Sequence, residues 1–218
     1  MRQQSHAVRA LPALPFRVHL DSIGLKAALL DRRGTARGRW LNVPMRETPA
    51  DLAAMQALLD RSHAAGGAHL LRILTPERRL TAEQVAERLT GMRLLALATV
   101  TADARPIVGP VDGVFLRGAF HFGSAPDSLR FRHIRARPQV SATHLPGEEL
   151  AVTVHGRAVP IDVHAEEGAE LKAALLEIYV PRYGPGWEKF LDSGVAYARI
   201  EAERMFTFHM EAEGAQTS

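Results

Sequence analysis

This sequence predicts a mainly β fold with inserted helices: a small β-barrel, closed or split, built of antiparallel strands. Between residues 93 and 145, short apolar runs follow one another with two to four residues between them, enough for hairpins and too few for crossover helices. Helical patterns are set among those runs or ahead of them, whereas a doubly wound fold would alternate strand and helix throughout. The last run, residues 205–210, puts Phe206 and Phe208 on one side and Thr207 and His209 on the other, the alternation of a half-buried barrel strand.

The chain has 218 residues, enough for one substantial core with appendages. With 46% apolar and 23% charged residues it is neither disordered nor membrane-embedded in composition. Cysteine is absent, which removes disulfides, thiolate nucleophiles, iron–sulfur clusters and thiolate zinc sites together. Pro12, Pro15, Arg17, His19 and Asp21 interrupt the N-terminal apolar pieces, and no stretch approaches the roughly 18 apolar residues a membrane span needs. A cytoplasmic protein with neither export signal nor span is expected. Of the 27 basic and 24 acidic residues, residues 1–44 hold eight basic ones against Asp21 and Asp31, which leaves the body with 19 basic and 22 acidic. A nucleic-acid binder would carry its positive surplus on a folded face, so no nucleic-acid partner is expected.

Residues 1–44 show no steady period and read as a basic, flexible extension, with Met45 an alternative start. Residues 45–91 read as a helical lead-in that covers one end of a sheet. Thr48 caps its first helix, Pro49 suits the first position, and Leu52, Met55, Leu58 and Leu59 form a stripe ending by Gly66-Gly67. Thr81 with Gln84 announces a second helix, with Val85 and Leu89 facing inward.

Residues 92–210 hold the barrel. Strands are expected at 94–100, at 107–111, at 114–117 after an Asp112-Gly113 connection, and at 119–123 after Gly118. Pro126 can open a short helix in which Leu129 or Phe131, with Ile134, faces the core, while Arg130, Arg132, Arg135 and Arg137 supply positive charge. A strand at 139–145 turns at Pro146-Gly-Glu into another at 150–163, with Gly156 as a bulge and an edge at Pro160. A helical insertion occupies about residues 165–192, its first helix stopped by Pro181. Two last strands meet across Glu201-Ala-Glu-Arg204, and residues 211–218 form a tail. The count is seven or eight strands.

No H-E-x-x-H, G-x-S-x-G, P-loop or dinucleotide glycine pattern is present, and the ten histidines show no ligand spacing, so no metal is expected. The sharper feature is a strand ending in Gly123-Ser124 that enters a short helix. It offers free backbone donors and hydroxyls, and Arg130 adds a forked cationic grip, a set that suits a phosphate. The plainer reading is a solvated basic helix face whose Gly123 and Ser124 merely turn the chain.

The run Leu95-Ala-Leu-Ala-Thr-Val-Thr-Ala-Asp-Ala-Arg-Pro-Ile-Val-Gly-Pro-Val-Asp-Gly-Val-Phe, then Phe120-His-Phe-Gly-Ser, Leu129-Arg-Phe-Arg-His-Ile-Arg-Ala-Arg-Pro-Gln-Val-Ser-Ala and Val152-Thr-Val-His-Gly-Arg-Ala, resembles the pyridoxamine 5'-phosphate oxidase-like family of FMN-binding split barrels. The resemblance covers about residues 90–163. It implies a homodimer with flavin in a cleft between subunits. It also implies that Arg130 holds the flavin phosphate, with Ser124 and Ser128 as hydroxyl neighbours. Thr99, Val100 and Thr101, with Pro110 and Val111, would supply the strand backbone along the ribityl chain and ring, and His133 a supporting polar group. Asp103-Ala104 replaces the usual Asp-Gly turn, and Arg130 stands where many relatives have Lys. The C-terminal substrate segment of true pyridoxamine phosphate oxidases has no counterpart, so vitamin B6 oxidation is not implied. Aromatic rings from Tyr179 to Trp187 could instead roof a pocket or bury against the barrel.

Two function classes follow from the resemblance. One is an oxidoreductase using FMN, or deazaflavin F420 if Arg132, Arg135 and Arg137 serve a longer anionic arm, on a small organic substrate. The other is a non-catalytic barrel that binds flavin or haem, with His121, His133 and His144 as candidate axial ligands.

Overall fold

The computed structural model describes residues 45–210; the extension at 1–44 and the tail at 211–218 lie outside the described residues. The lead-in starts with α1 (Pro49–Ala64), where Thr48 and Asp51 close a reciprocal capping box. A short helix, α2 (Ala68–Ile73), buries no side chain, which is why the apolar stripe gave no sign of it. After a 3-10 turn at Pro76–Arg78 comes α3 (Ala82–Arg88), capped reciprocally by Thr81 and Gln84.

Six strands follow: β1 (Met92–Val100), β2 (Pro106–Leu116), β3 (Ala119–Ser124), β4 (Gln139–His144), β5 (Leu150–Ile161) and β6 (Ala196–His209). One helix, α4 (Leu129–Ala136), joins β3 to β4, while α5 (Ala169–Tyr183) and α6 (Trp187–Leu191) join β5 to β6. All pairings are antiparallel and the barrel closes in the order β1-β2-β3-β6-β5-β4, with β4 back on β1. The fold class is thus the one the sequence predicts. Leu95, Leu97, Phe120, Phe122, Val152, Val154, Ile200 and Met205 fill the barrel, and Leu59, Val85 and Leu89 of the lead-in join the same core. A second core lies outside the wall, where Leu171, Leu175, Ile178 and Tyr179 of α5 cover Val114, Leu116 and Tyr197.

Three predicted breaks are absent. Asp112-Gly113 does not separate two strands, because β2 runs unbroken through it. Gly113 is there for close approach: a Cβ would stand 2.5 Å from Leu95 Cδ1. Glu201-Ala-Glu-Arg204 does not turn either. It is the exposed middle of the 14-residue β6, and the slip beside it, where His155 faces Arg204 but Gly156 faces Ala202, absorbs one extra residue as a bulge. Pro181 does not stop α5, which continues to Tyr183 and ends at Gly184 with φ 87°. Among the described residues the count is therefore six strands. The hairpin at Gly118 stands as predicted, with Arg117 and Gly118 at φ 52° and 73°.

Strand lengths are unequal, from 6 to 14 residues, so several edges overhang their neighbours and need other partners. Beyond Arg199, β6 has no β3 partner, and α1 covers it: Met205 N donates to Ser62 Oγ at 2.9 Å. β4 reaches β1 only at Ala96–Ala98, and His144 Nδ1 donates to the Leu94 carbonyl at 2.9 Å beyond that stretch. β3 meets β2 only from Gly113 onward, so the N-terminal half of β2 overhangs, and Pro106 and Pro110 bring no N–H to that edge. Past Ala158, β5 pairs with β6 alone, which is the edge signalled by Pro160.

His121 on β3 is 5% exposed beneath α5. Burial pushes its imidazole down to about 4, with the Arg199 charge acting in the same sense and its hydrogen bond to the Ala119 carbonyl acting against both. The folded state therefore holds it neutral, so its contribution is complete above pH 6.5 and is lost as pH falls toward 4. Urea unfolding at pH 7 and at pH 4.5 is expected to show this loss, up to about 3 kcal/mol, and His121→Leu to flatten that part of the slope.

Candidate functional site

The corner that carries the predicted site is built by α4. Ser128 is its N-cap, with Oγ accepting from Phe131 N at 3.3 Å, and Phe131 and Ile134 go into the barrel beside Phe122. Leu129 stays exposed, so the inward residue of that pair is Phe131. Below the helix, Thr99 Oγ1 and His133 Nδ1 share a hydrogen bond of 2.9 Å, with the two residues 4% and 6% exposed. Arg137 Nε donates to the Val100 carbonyl at 3.0 Å, taking the end of β1 that β4 leaves open, and Arg135 donates to the Pro126 carbonyl at 2.8 Å.

Held in this way, α4 lays Arg130 across the overhanging edge of β2. Its Nη2 donates to the Pro110 carbonyl at 3.0 Å. The same nitrogen lies 3.3 Å from where a Cβ on Gly109 would stand, so the bare glycine leaves the space the guanidinium uses. Among the described residues Pro110 O is its one hydrogen-bond acceptor and no carboxylate pairs with it. Burial alone lowers its pKa from the ordinary guanidinium value. A partly desolvated guanidinium with most of its N–H fork unengaged, beside the first turn of a helix that has no acidic residue there, suits an anion.

Thr99, Val100, Pro110, Ser128, Arg130 and His133 are thus gathered into one corner. Val111 reaches it through backbone only, since its side chain is in the core. Thr101 spends its hydroxyl on the β1–β2 turn, where it accepts from Arg105 N at 2.9 Å. Ser124 ends β3 opposite Ala196, and the Tyr197 ring packs over the neighbouring Gly123, 2.7 Å from where a Cβ would be. His121, His133 and His144 sit on β3, α4 and β4, each with Nδ1 engaged. No group of three His, Asp or Glu able to hold a metal occurs among the described residues.

Sequence reasoning missed Gly109 and Asp112. Asp112 stands on β2 opposite Leu94 and accepts from the Tyr179 hydroxyl at 3.3 Å. Burial raises its carboxyl pKa above the ordinary value, although the Tyr179 bond and the Arg182 charge both act to lower it. Its one legible signal was an acid within an otherwise apolar strand run, which was read as part of a turn.

Thr99→Val tests the clamp, because it leaves a buried imidazole nitrogen without its partner. A loss of about 1–3 kcal/mol in urea unfolding is expected, with faster amide exchange in α4 than in β5 or β6. Unchanged exchange in α4 would show that the hydrogen bond does not hold the helix.

A family model described as pyridoxamine 5'-phosphate oxidase matches residues 81–209. Among curated proteins none matches the chain in sequence. Among solved structures, a conserved hypothetical protein from Mycobacterium tuberculosis is 18% identical at TM-score 0.51, with 66% of this chain and 98% of that chain covered. A FAD-binding protein from Mesorhizobium loti is 21% identical at TM-score 0.46, covering 60% of this chain and 93% of its own. HutZ, the heme storage protein from Vibrio cholerae, is 21% identical at TM-score 0.45, covering 54% and 85%. The first of these is a likeness of fold. With more than half of its length matched by the family model, and with the closed six-stranded barrel described above, the chain belongs to the pyridoxamine 5'-phosphate oxidase family.

Proposed function

We propose that this protein is a cytoplasmic, homodimeric flavin-dependent oxidoreductase that holds FMN by its phosphate at Arg130 and acts on a small organic substrate. The observation that carries this reading is the Arg130 guanidinium. It is partly desolvated, unpaired with any carboxylate among the described residues, and fixed over Gly109 and Pro110 beside the first turn of α4. Ser128 caps that turn with its hydroxyl, Ser124 ends β3, and the backbone of β1 and β2 offers the flat wall along which a ring can lie. A bound flavin supplies hydride transfer itself, so the chain's residues need only anchor and orient it.

Deazaflavin F420 remains the alternative cofactor. Arg135 and Arg137 are committed to backbone carbonyls, which leaves Arg132 alone of the three for a longer anionic arm and favours FMN. Haem is the third reading, and the hydrogen bonds at Nδ1 of His121, His133 and His144 are compatible with ligation through Nε2 of any one of them. Storage of flavin without turnover would use the same grip. For the dimer, support comes from the outer face of β1, β2 and β4. There Leu94, Val108 and Leu145 are 58%, 64% and 63% exposed, with Ala96 and Pro110 between them. An apolar face of this kind next to the anion corner is what a second copy would cover. No described helix is long and apolar enough to cross a membrane.

After incubation with cofactor and removal of the unbound fraction, the protein is expected to retain FMN, seen as two bands in the near-ultraviolet and blue; retention of F420 alone, with its single violet-blue band, would select the alternative. Arg130→Ala is expected to weaken cofactor binding by about 1.5–3 kcal/mol, roughly ten- to a hundredfold. Unchanged affinity would place the phosphate elsewhere.

Light scattering is expected to give twice the 23.9 kDa of one chain. Val108→Asp, which puts a charge on the exposed face, is expected to give the monomer.

A further inference from the structure

The overhanging end of β6 is covered by α1, and two neighbouring polar side chains, Ser62 and His63, are buried on that helix. Ser62 is fully used: its Oγ donates to the Leu58 carbonyl at 2.7 Å and accepts from Met205 N at 2.9 Å. His63 is not. It is 7% exposed, and neither ring nitrogen has a hydrogen-bond partner among the described residues. Its ring meets Phe206 of β6 edge to face, with centroids 5.8 Å apart and planes at 83°. A buried imidazole with both nitrogens unsatisfied costs this seam free energy that an apolar side chain would not. Adding a proton costs more, because the charge is buried without an acceptor. The charged groups around it give no net relief. Arg79, from the segment after the 3-10 turn, opposes the charge, and Asp60 on α1 favours it less than burial and Arg79 oppose it. β6 presents the uncharged Phe206 ring, which also meets the His155 ring of β5, and on α2 His69 and Arg72 bond to one another at the surface.

We propose that His63 is an acid-sensitive latch, which on taking up a proton opens α1 from the end of β6 while the barrel stays closed. Burial, with the Arg79 charge acting in the same sense, lowers the pKa of the ring in the closed seam from the ordinary 6.5. Once α1 lifts away, the ring is wetted and returns to that value. The closing free energy it secures is therefore complete above pH 6.5 and is lost as pH falls below it. The strands do not need α1 in place, because β6 pairs with β5 from Tyr197 to His209. Opening frees Met205 N and uncovers Met55, Leu58 and Leu59, so acid exposes a strand edge and an apolar helix face that neutral pH hides. None of this needs the cofactor.

Amide exchange of the full chain, read segment by segment and corrected for the intrinsic pH dependence of exchange, measures the opening. Between pH 7 and pH 5 the opening constant of α1 and of the Met205 amide is expected to rise about tenfold, with α1 more open than β1 and β2 at both pH values. His121 and His144 lie on β3 and β4, which stay closed, and Asp51 of α1 has its pKa lowered from 3.8, so His63 alone gives α1 this pH dependence. His63→Phe, which keeps a ring against Phe206 and takes up no proton, is expected to give α1 the same opening constant at both pH values. His63→Gln, smaller and uncharged, supplies the same test if the phenylalanine variant fails to fold. An α1 opening constant that ignores pH in the unsubstituted chain, a rise that persists in either folded variant, or a rise that α1 and the strands share equally, overturns the latch.

Discussion

Unequal strand length is the constraint on which the rest of this structure depends. A six-stranded barrel closes only if every strand finds two neighbours, yet β3 and β4 have 6 residues while β5 and β6 have 12 and 14. The overhangs leave backbone groups that must be paired or wetted. Each helical segment of the first two-thirds of the chain answers one of them. The lead-in satisfies β6 through Ser62, which accepts from Met205 N, and α4 satisfies the ends of β1 and β2 through Arg137 and Arg130. The candidate anion site is therefore a consequence of closure. The same geometry that leaves the Pro110 carbonyl without a strand brings a guanidinium to it.

That origin explains how much the sequence disclosed. Alternation, hairpin spacing and the Gly118 turn are local, as are the caps at Thr48 and Thr81, and together they yield the fold class and the lead-in helices. The failures are also local signals, overruled by tertiary partners. Asp112-Gly113 has turn chemistry, but Gly113 is required by the Leu95 side chain. Glu201-Ala-Glu-Arg204 has the polarity of a loop, but a bulge against Gly156 lets β6 carry it on the surface. Pro181 forfeits one helical hydrogen bond, while the stacking of Tyr179, Tyr183 and Trp187 favours continuing α5 past it.

The site was legible to a different depth. Arg130 could be singled out as a candidate from the Gly123-Ser124 approach and the family spacing, because those lie within one short segment. The Thr99–His133 bond joins residues 34 positions apart, and no periodicity announces such a pair. Gly109 was silent because its contribution is an absent side chain. Asp112 was misread because its partner, Tyr179, lies 67 positions away in an insertion whose docking on β2 and β3 only the folded chain displays.

Arg130 and Asp112 are charged groups of opposite sign on this face of β2, and the fold keeps them apart. Their anchor points on the strand are two residues from one another, about 7 Å, a distance the long arginine side chain could bridge. Burial disfavours the charged form of both, and pairing them would have relieved each. Instead α4, clamped by Thr99 and Val100, aims the guanidinium at a carbonyl, and α5 ties the carboxylate to a phenol. Separated opposite charges on one strand, each supported by its own helix, form a fixed polarity along the wall. A structural ion pair would have needed neither helix in its place.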